Sequence, residues 1–70
     1  MNKIKCNYKT RFYVVSCCEI EFNLPHYDTI LLMEYENIAE IWNQIYENRY
    51  EYKEEDSELL KVLIESGVVN

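Results

Sequence analysis

An alternation of polar and apolar residues runs through the first third of the chain and constrains what it can form. Apolar or small residues occupy the even positions from Ile4 to Leu24, while most charged and amide side chains occupy odd positions. Successive side chains of a β-strand point to opposite faces, so this pattern predicts strands that bury one face. Twenty-one residues exceed a typical strand, and we therefore expect this segment to turn and pair with itself as an antiparallel hairpin.

The unbroken alternation also restricts where the turn can lie. A two-residue hairpin loop would move the buried face from even to odd positions, whereas a loop of odd length or a bent strand preserves it. Residues 7–11 are the best turn candidate because Asn and Thr tolerate turn geometry, and a bend near Ser16 is the alternative. The odd positions Tyr13, Val15 and Cys17 are apolar as well, which predicts a central part of the sheet with both faces covered.

Residues 29–35, which follow the strand-breaking Pro25, fit two structures. Their β-branched start and short length favour a third strand. They would also fit a long helix beginning after Asp28, with one apolar face formed by Leu31, Tyr35, Ile38, Trp42 and Ile45. We favour the strand.

Two helices are predicted in the C-terminal half. Asn37 followed by Glu40 has the form of a capping box, and apolar residues then recur at helical spacing through about Arg49. A second helix starts near residues 54–57, where acidic side chains suit the positive end of the helix dipole. It ends at Gly67, with Val68 folding back. The residues that this helix is expected to bury are Leu59, Leu60, Leu63 and Ile64.

The order of elements predicts one small α+β domain over residues 1–70. An N-terminal antiparallel β-hairpin or three-stranded sheet is followed by two α-helices packed on one face. The first residues lack a signal-peptide core, and the longest apolar run, Ile30–Met33, is far too short to span a bilayer. Three cysteines fit no disulfide framework, so we expect a cytoplasmic protein.

No motif for catalysis, cofactor binding or metal binding emerges from the sequence. The conceivable soft-metal ligands, Cys6, Cys17, Cys18 and His26, lack the paired spacing of zinc sites, and adjacent cysteines in a strand would point to opposite faces. His26 is interpreted as a loop residue, and a single glycine excludes the usual glycine-rich phosphate loops. We therefore expect a protein without enzymatic activity, cofactor or metal.

Charge is sorted by position along the chain. Residues 1–11 carry four basic side chains and no acid, whereas residues 19–58 hold twelve of the thirteen acids against Arg49 and Lys53. Such a field attracts basic partners and repels nucleic acid and anionic membranes. The sequence therefore predicts a basic protein partner, with no direct binding to nucleic acid or membrane, for a monomer or weak homodimer.

Tyrosines alternate with acids in residues 46–56, which suits an interface. Tyrosine supplies rigid contact area, and carboxylates accept bidentate hydrogen bonds from arginine. The alternative is a solvated helix end followed by the acidic cap of the next helix. The predicted partner-binding residues are Glu47, Tyr50, Glu51, Tyr52, Glu54, Glu55 and Asp56.

Residues 42–47, Trp-Asn-Gln-Ile-Tyr-Glu, and the acidic run after them resemble small phage-encoded anti-CRISPR inhibitors of Cas9. Members of that group are short acidic α+β proteins, some of which place carboxylates where the nuclease would bind DNA. The resemblance implies a nucleic-acid mimic that acts in the host cytoplasm on a nuclease or another nucleic-acid-binding protein. The residues implied to replace phosphates, facing the arginines of a nucleic-acid channel, are Glu47, Glu51, Glu54, Glu55 and Asp56.

Residues 53–69 support a second resemblance. Their acidic start, the run Leu59-Leu60-Lys61-Val62-Leu63-Ile64-Glu65-Ser66-Gly67 and the closing valines are similar to the last helix of winged-helix peptide-recognition domains from ribosomal peptide modification pathways. Those domains bind a leader peptide at a sheet edge. This alternative places the sensitive positions in residues 3–11.

Overall fold

The computed structural model describes residues 4–24, 27 and 29–69. Within these residues, three strands are followed by two helices: β1 (Arg11–Ser16), β2 (Glu19–Asn23), β3 (Ile30–Glu34), α1 (Ile38–Tyr46) and α2 (Ser57–Glu65). A 3₁₀ turn, Glu54–Asp56, leads directly into α2. The strands are antiparallel in the order β1-β2-β3. The predicted α+β arrangement is confirmed, and residues 30–34 form the favoured strand.

A β-bulge keeps the even positions paired across the β1–β2 hairpin. The connecting loop has only two residues, Cys17 and Cys18, so that Ser16 lies opposite Glu19, yet Val14 lies opposite Ile20. The extra β1 residue between these pairs, Val15, restores even-to-even pairing. The hairpin turn predicted at residues 7–11 was therefore wrong: the turn at Tyr8 and Lys9 leads into β1 and does not connect paired strands.

The two faces of the sheet differ in burial. On the even face, Ile20 and Phe22 of the central strand β2 are fully buried, and Phe12 packs beside them. On the odd face Tyr13 is 66% exposed and Val15 is also exposed. The prediction of a doubly covered segment was wrong because both helices pack on the even face, which leaves the odd face open.

The start of α1 does not use the predicted capping box. Asn37 has a left-handed backbone with φ 61°, and its side chain makes no capping hydrogen bond. A capping side chain needs the extended backbone region, which this conformation excludes. The N–H of Ala39 donates instead to the Cys17 carbonyl at 3.1 Å, and the N–H of Ile38 donates to the Tyr35 carbonyl. The helix start is thus capped by the hairpin turn.

Asn48, which also has a φ of 61°, follows the end of α1 at Tyr46. The N–H of Asn48 donates to the Ile45 carbonyl and that of Arg49 to the Gln44 carbonyl. A left-handed residue with these two hydrogen bonds closes a helix as a Schellman motif, which is why α1 stops about one turn before the predicted end.

The predicted glycine terminus of α2 is confirmed. Gly67 has φ 83°, its N–H donates to the Ile64 carbonyl, and the N–H of buried Val68 donates to the Leu63 carbonyl. The predicted burial of Ile64 was wrong: its side chain is half exposed at the margin of the apolar stripe, beside an open groove shared with Ile4.

The core lies between the even face of the sheet and the two helices. Trp42 is its largest member, and the rings of Phe12 and Phe22 approach it edge-on with centroids at 5.2 and 4.8 Å. The buried apolar residues are Ile20, Phe22, Ile38, Trp42, Ile45, Leu59, Leu60, Leu63, Val68 and Val69.

The segment before β1 is held by the chain beyond α2. The Asn7 side-chain amide donates to the Gly67 carbonyl at 3.1 Å, and the Thr10 hydroxyl donates to the Val68 carbonyl at 3.1 Å. Cys6 forms an isolated antiparallel bridge with Val69. No helix in the described part of the chain is long and apolar enough to cross a membrane.

Candidate functional site

An open cleft of about 540 Å³ lies between the first half of α1 and the segment that leads into α2. Four of its nine lining residues are acidic, and Lys53 is the basic residue among them. We call it the acidic cleft, and its lining residues are Tyr35, Glu36, Asn37, Glu40, Ile41, Gln44, Lys53, Glu55 and Asp56.

Asp56 is the buried carboxylate of the acidic cleft, with 4% of its surface exposed. The Tyr50 hydroxyl donates to its Oδ2 at 2.7 Å. The Tyr35 hydroxyl lies 3.2 Å from Oδ1 and 2.8 Å from the Glu55 carbonyl oxygen, so its one proton is shared between two acceptors. Burying a carboxylate is costly unless hydrogen bonds replace its hydration, and the two tyrosines supply that replacement. This triad, Tyr35–Tyr50–Asp56, joins three segments of the chain.

Both hydroxyls of the triad resist ionisation. Desolvation raises the pKa of Tyr50 far above its usual range, and the hydrogen bond to the Asp56 carboxylate raises it further. Desolvation also raises the pKa of Tyr35, followed by its hydrogen bond to Asp56 and by the nearby charges of Glu55 and Glu36. The hydroxyls therefore stay protonated as donors at neutral pH, and neither acts as a general base there.

The structure places the predicted partner-binding residues in several different settings. Glu55 and Asp56 line the acidic cleft, whereas the exposed Tyr52 borders a separate groove along α2. Glu47 lies at the opposite end of α1 from the cleft, where Arg49 Nε contacts its Oε1 at 2.6 Å. Glu51 and Glu54 are exposed on the connecting segment, and Tyr50 is half-buried in the triad.

The sequence interpretation did not include Glu36 and Glu40, which complete the carboxylate lining of the acidic cleft. Glu40 was assigned to the capping box, but its Oε1 accepts a hydrogen bond from the Gln44 amide at 3.1 Å. The spacing of these two residues on a helix is i,i+4, a signal visible in the sequence.

Most acidic side chains in residues 4–24, 27 and 29–69 have no ion-pair partner among those residues. The Glu47–Arg49 contact is the salt bridge found there, and its two side chains are about half exposed. Glu36, Glu40 and Glu55 therefore line the acidic cleft as uncompensated carboxylates, apart from the general field of Lys53.

The cysteines of the hairpin turn lie closer together than predicted. Cys17 Sγ and Cys18 Sγ are 3.1 Å apart. The prediction that they point to opposite faces was wrong because β1 ends at Ser16, and the two residues form the loop. The hydrogen bond with the Cys18 thiol, followed by its charge, raises the pKa of Cys17.

The remaining predicted chemistry concerns Cys6 and His26. Cys6 is half-buried, and burial raises its pKa. The interpretation of His26 as a loop residue falls outside the described residues. No cluster of three or more potential metal ligands occurs among the residues that the structure describes.

No protein-family model, curated protein or solved structure matches the chain.

Proposed function

We propose that this chain is a small acidic binding protein, without enzymatic activity, that inhibits a basic nucleic-acid-handling partner by mimicking nucleic acid. The observation that supports this proposal is the concave cluster of Glu36, Glu40 and Glu55, none of which has an ion-pair partner among the described residues. Carboxylates so arranged offer several acceptors to the arginines of a phosphate-binding channel.

The rigid setting of the acidic cleft favours such binding. The Tyr50 and Tyr35 hydroxyls fix Asp56, and with it the turn that carries Glu55. A preorganised carboxylate loses less conformational entropy when an arginine binds it than one on a mobile loop. Glu40 is likewise held on a helix and accepts from Gln44. The Glu40 side chain and the turn that carries Glu55 are thus in place before a partner arrives.

The cleft supports binding better than catalysis. Its tyrosine hydroxyls are hydrogen-bond donors at neutral pH, as their raised pKa values require. Glu36, Glu40 and Glu55 are exposed, so that a partner can reach all three carboxylates.

The resemblance of residues 42–47 to anti-CRISPR inhibitors makes a Cas9-type nuclease the first partner to test, with the host cytoplasm as the location. Such nucleases hold nucleic acid in a positively charged channel. The competing partner is any other protein that reads phosphates with arginine and lysine.

A matched pair of charge reversals tests the proposal. One variant changes Glu36, Glu40 and Glu55 to Lys, and the control changes Glu19, Glu21 and Glu34 to Lys on the strands, so both have the same net charge. We expect the cleft variant to lose at least about 100-fold in affinity for the nuclease, because close charge pairs carry much of such interfaces. The control should change affinity by less than about threefold, since its three side chains do not line the cleft and make no direct contact with an arginine bound there.

The readout is competition with DNA for the nuclease, measured by fluorescence anisotropy at low and high salt. Binding of the original chain should displace DNA and weaken as salt rises. Equal losses in both variants would show that only net charge matters, and unchanged binding in the cleft variant would overturn the proposal.

The second candidate is a peptide-recognition module that binds at a sheet edge. The observation that favours it is the open sheet, in which β1 and β3 are both edge strands of the described residues. Residues 4–10 do not supply the edge, since their backbone and side chains bond to the segment after α2. The edge without a bulge is β3, Ile30–Glu34.

Hydrogen exchange separates the two candidates. Peptide addition to β3 should slow exchange of its outward-facing amides and should survive high salt, because main-chain hydrogen bonds carry the affinity. Reversal of the cleft charges should then leave binding unchanged. A partner that protects the amides of Glu36 and Glu40 from exchange, but not those of β3, would rule out binding at the sheet edge.

A further inference from the structure

The two-residue loop of the β1–β2 hairpin brings two thiols together. Cys17 Sγ and Cys18 Sγ lie 3.1 Å apart, with Cys17 exposed and Cys18 half-buried. The Ser16 hydroxyl oxygen accepts a hydrogen bond from the Cys18 N–H at 3.2 Å, which holds the turn in this form. A small reagent can therefore reach the Cys17 sulfur, and the Cys18 sulfur lies in contact with that atom.

The backbone of the same turn supports the acidic cleft. The Cys17 carbonyl accepts from the N–H of Ala39 in the first turn of α1, at 3.1 Å. The Cys18 carbonyl accepts from the N–H of Tyr35, a member of the triad, at 2.9 Å. A conformational change of the peptide between the two cysteines would therefore alter the hydrogen bonds at the start of α1 and beside the acidic cleft.

We propose that Cys17 and Cys18 form a reversible redox modification site, which a low-molecular-weight disulfide such as oxidised glutathione converts into an intramolecular disulfide. The Cys17 thiolate, a minor form because the pKa of this thiol is raised, attacks one sulfur of the glutathione disulfide and releases one glutathione thiolate. Cys18 then attacks the Cys17 sulfur of the mixed disulfide and releases the second glutathione. The protein loses two hydrogen atoms, and one disulfide reagent becomes two thiols, so no other oxidant is required.

Geometry explains why this disulfide would be labile and why it would change the backbone. Adjacent Cα atoms are about 3.8 Å apart across a trans peptide, whereas ordinary disulfides join Cα atoms roughly 4.4–6.8 Å apart. Closing the ring therefore strains the peptide bond between Cys17 and Cys18. That peptide carries the Cys17 carbonyl, the acceptor for Ala39. Exposed, strained disulfides belong to the readily reduced, regulatory class.

Mass spectrometry of the full chain tests the chemistry. After incubation with defined ratios of oxidised to reduced glutathione and alkylation of free thiols, we expect loss of two hydrogen atoms and a single alkylated cysteine, Cys6. The variant Cys6→Ser should form the same internal disulfide. Cys17→Ser and Cys18→Ser should retain a glutathione adduct instead, because the second thiol is missing. Internal disulfide formation in Cys17→Ser, or only adducts in the original chain, would overturn the proposal.

Hydrogen exchange tests the connection to the helix. Oxidation should speed exchange of the Ala39 amide by about tenfold or more. The reason is that the hydrogen bond from this amide to the Cys17 carbonyl is lost, which allows local opening. The Leu63 amide in α2 should keep its rate, and added dithiothreitol should restore that of Ala39. The double variant Cys17→Ser/Cys18→Ser, treated alike, is the control. An oxidised chain with an unchanged Ala39 rate would overturn the coupling of this site to α1. Neither readout uses the nuclease, so this proposal and the proposed function can fail separately.

Discussion

Asp56 and its neighbours Glu54 and Glu55 belong to one 3₁₀ turn but occupy opposite environments. Asp56 is buried and accepts hydrogen bonds from two tyrosine hydroxyls, whereas Glu54 and Glu55 are exposed. Three consecutive acids therefore divide into one that holds the fold and two that are free to meet a partner. The difference shows that acidic density along a sequence does not measure the carboxylates available for binding.

The tyrosines of the same segment divide in the same way. Tyr50 is half-buried with its hydroxyl on Asp56, whereas Tyr52 is 61% exposed. Two residues apart, one side chain completes the triad and the other borders an open groove. These pairs allow structural and binding roles to be separated by matched substitutions.

The largest effect is expected from Asp56→Ala. The change leaves the Tyr50 hydroxyl without its acceptor and removes one of the two acceptors of Tyr35. It should lower the free energy of unfolding by roughly 3 kcal/mol, because hydrogen bonds to charged groups are the stronger class. Urea denaturation followed by Trp42 fluorescence measures it. The matched control is Glu54→Ala, and a result within about 0.5 kcal/mol for both would contradict the structural role of Asp56.

A smaller loss is expected from Tyr50→Phe. Removing only the hydroxyl should cost about 1.5–2 kcal/mol, the lower part of the range for one hydrogen bond to a charged group. Tyr52→Phe, two residues away on the exposed side, should change stability by less than about 0.5 kcal/mol. Parallel thermal unfolding of the two variants gives the comparison. Equal stability would show that the Tyr50–Asp56 contact contributes nothing.

Alkaline pH should weaken the triad. The pKa values of Tyr35 and Tyr50 are raised in the folded state, so above the unfolded tyrosine value of about 10 the unfolded chain releases protons that the folded chain retains. The contribution of these two hydroxyls to the free energy of unfolding is therefore fully present below about pH 10 and declines as the pH rises above that value. Denaturation midpoints between about pH 8 and 11 should fall less steeply for Tyr35→Phe/Tyr50→Phe than for the original chain. Identical slopes would argue against the triad.

The smallest effect on stability is expected from Glu55→Gln. This exposed side chain makes no ion pair among the described residues, so its change should alter unfolding by no more than about 0.5 kcal/mol. Its affinity for a basic partner should nevertheless fall, because one acceptor of the acidic cleft loses its charge. Calorimetric titration of the nuclease measures the affinity of this variant and of the control Glu54→Gln, and so compares a cleft residue with its neighbour outside the cleft. A stability loss as large as that of Asp56→Ala would show that Glu55 stabilises the fold, as Asp56 does.

Features with a local cause were predictable from the sequence. The strand at residues 30–34 and the glycine terminus of α2 depend on side chains within a few residues, and both were predicted. The bulge at Val15 was not, since nothing in its own side chain distinguishes it from a regular strand residue. The alternation correctly placed Ile20 and Phe22 on the buried face, but it disfavoured the two-residue loop that the bulge makes possible.

The acidic cleft was only partly predictable for a related reason. The segment 46–56 was correctly identified as rich in acid and tyrosine, but the burial of Asp56 depends on Tyr35, which lies 21 residues earlier. The contributions of Glu36 and Glu40 depend on how β3 leads into α1. Such contacts become visible only when the tertiary structure brings distant segments together.

The hydrogen bonds of Asn7 and Thr10 have a consequence for the order in which the fold closes. Their acceptors at Gly67 and Val68 lie 60 and 58 residues further along the chain. The strands of the sheet pair across much shorter loops. Contacts that close long loops form late and slowly. The hydrogen bonds that hold the segment before β1 are therefore expected to be among the last to form.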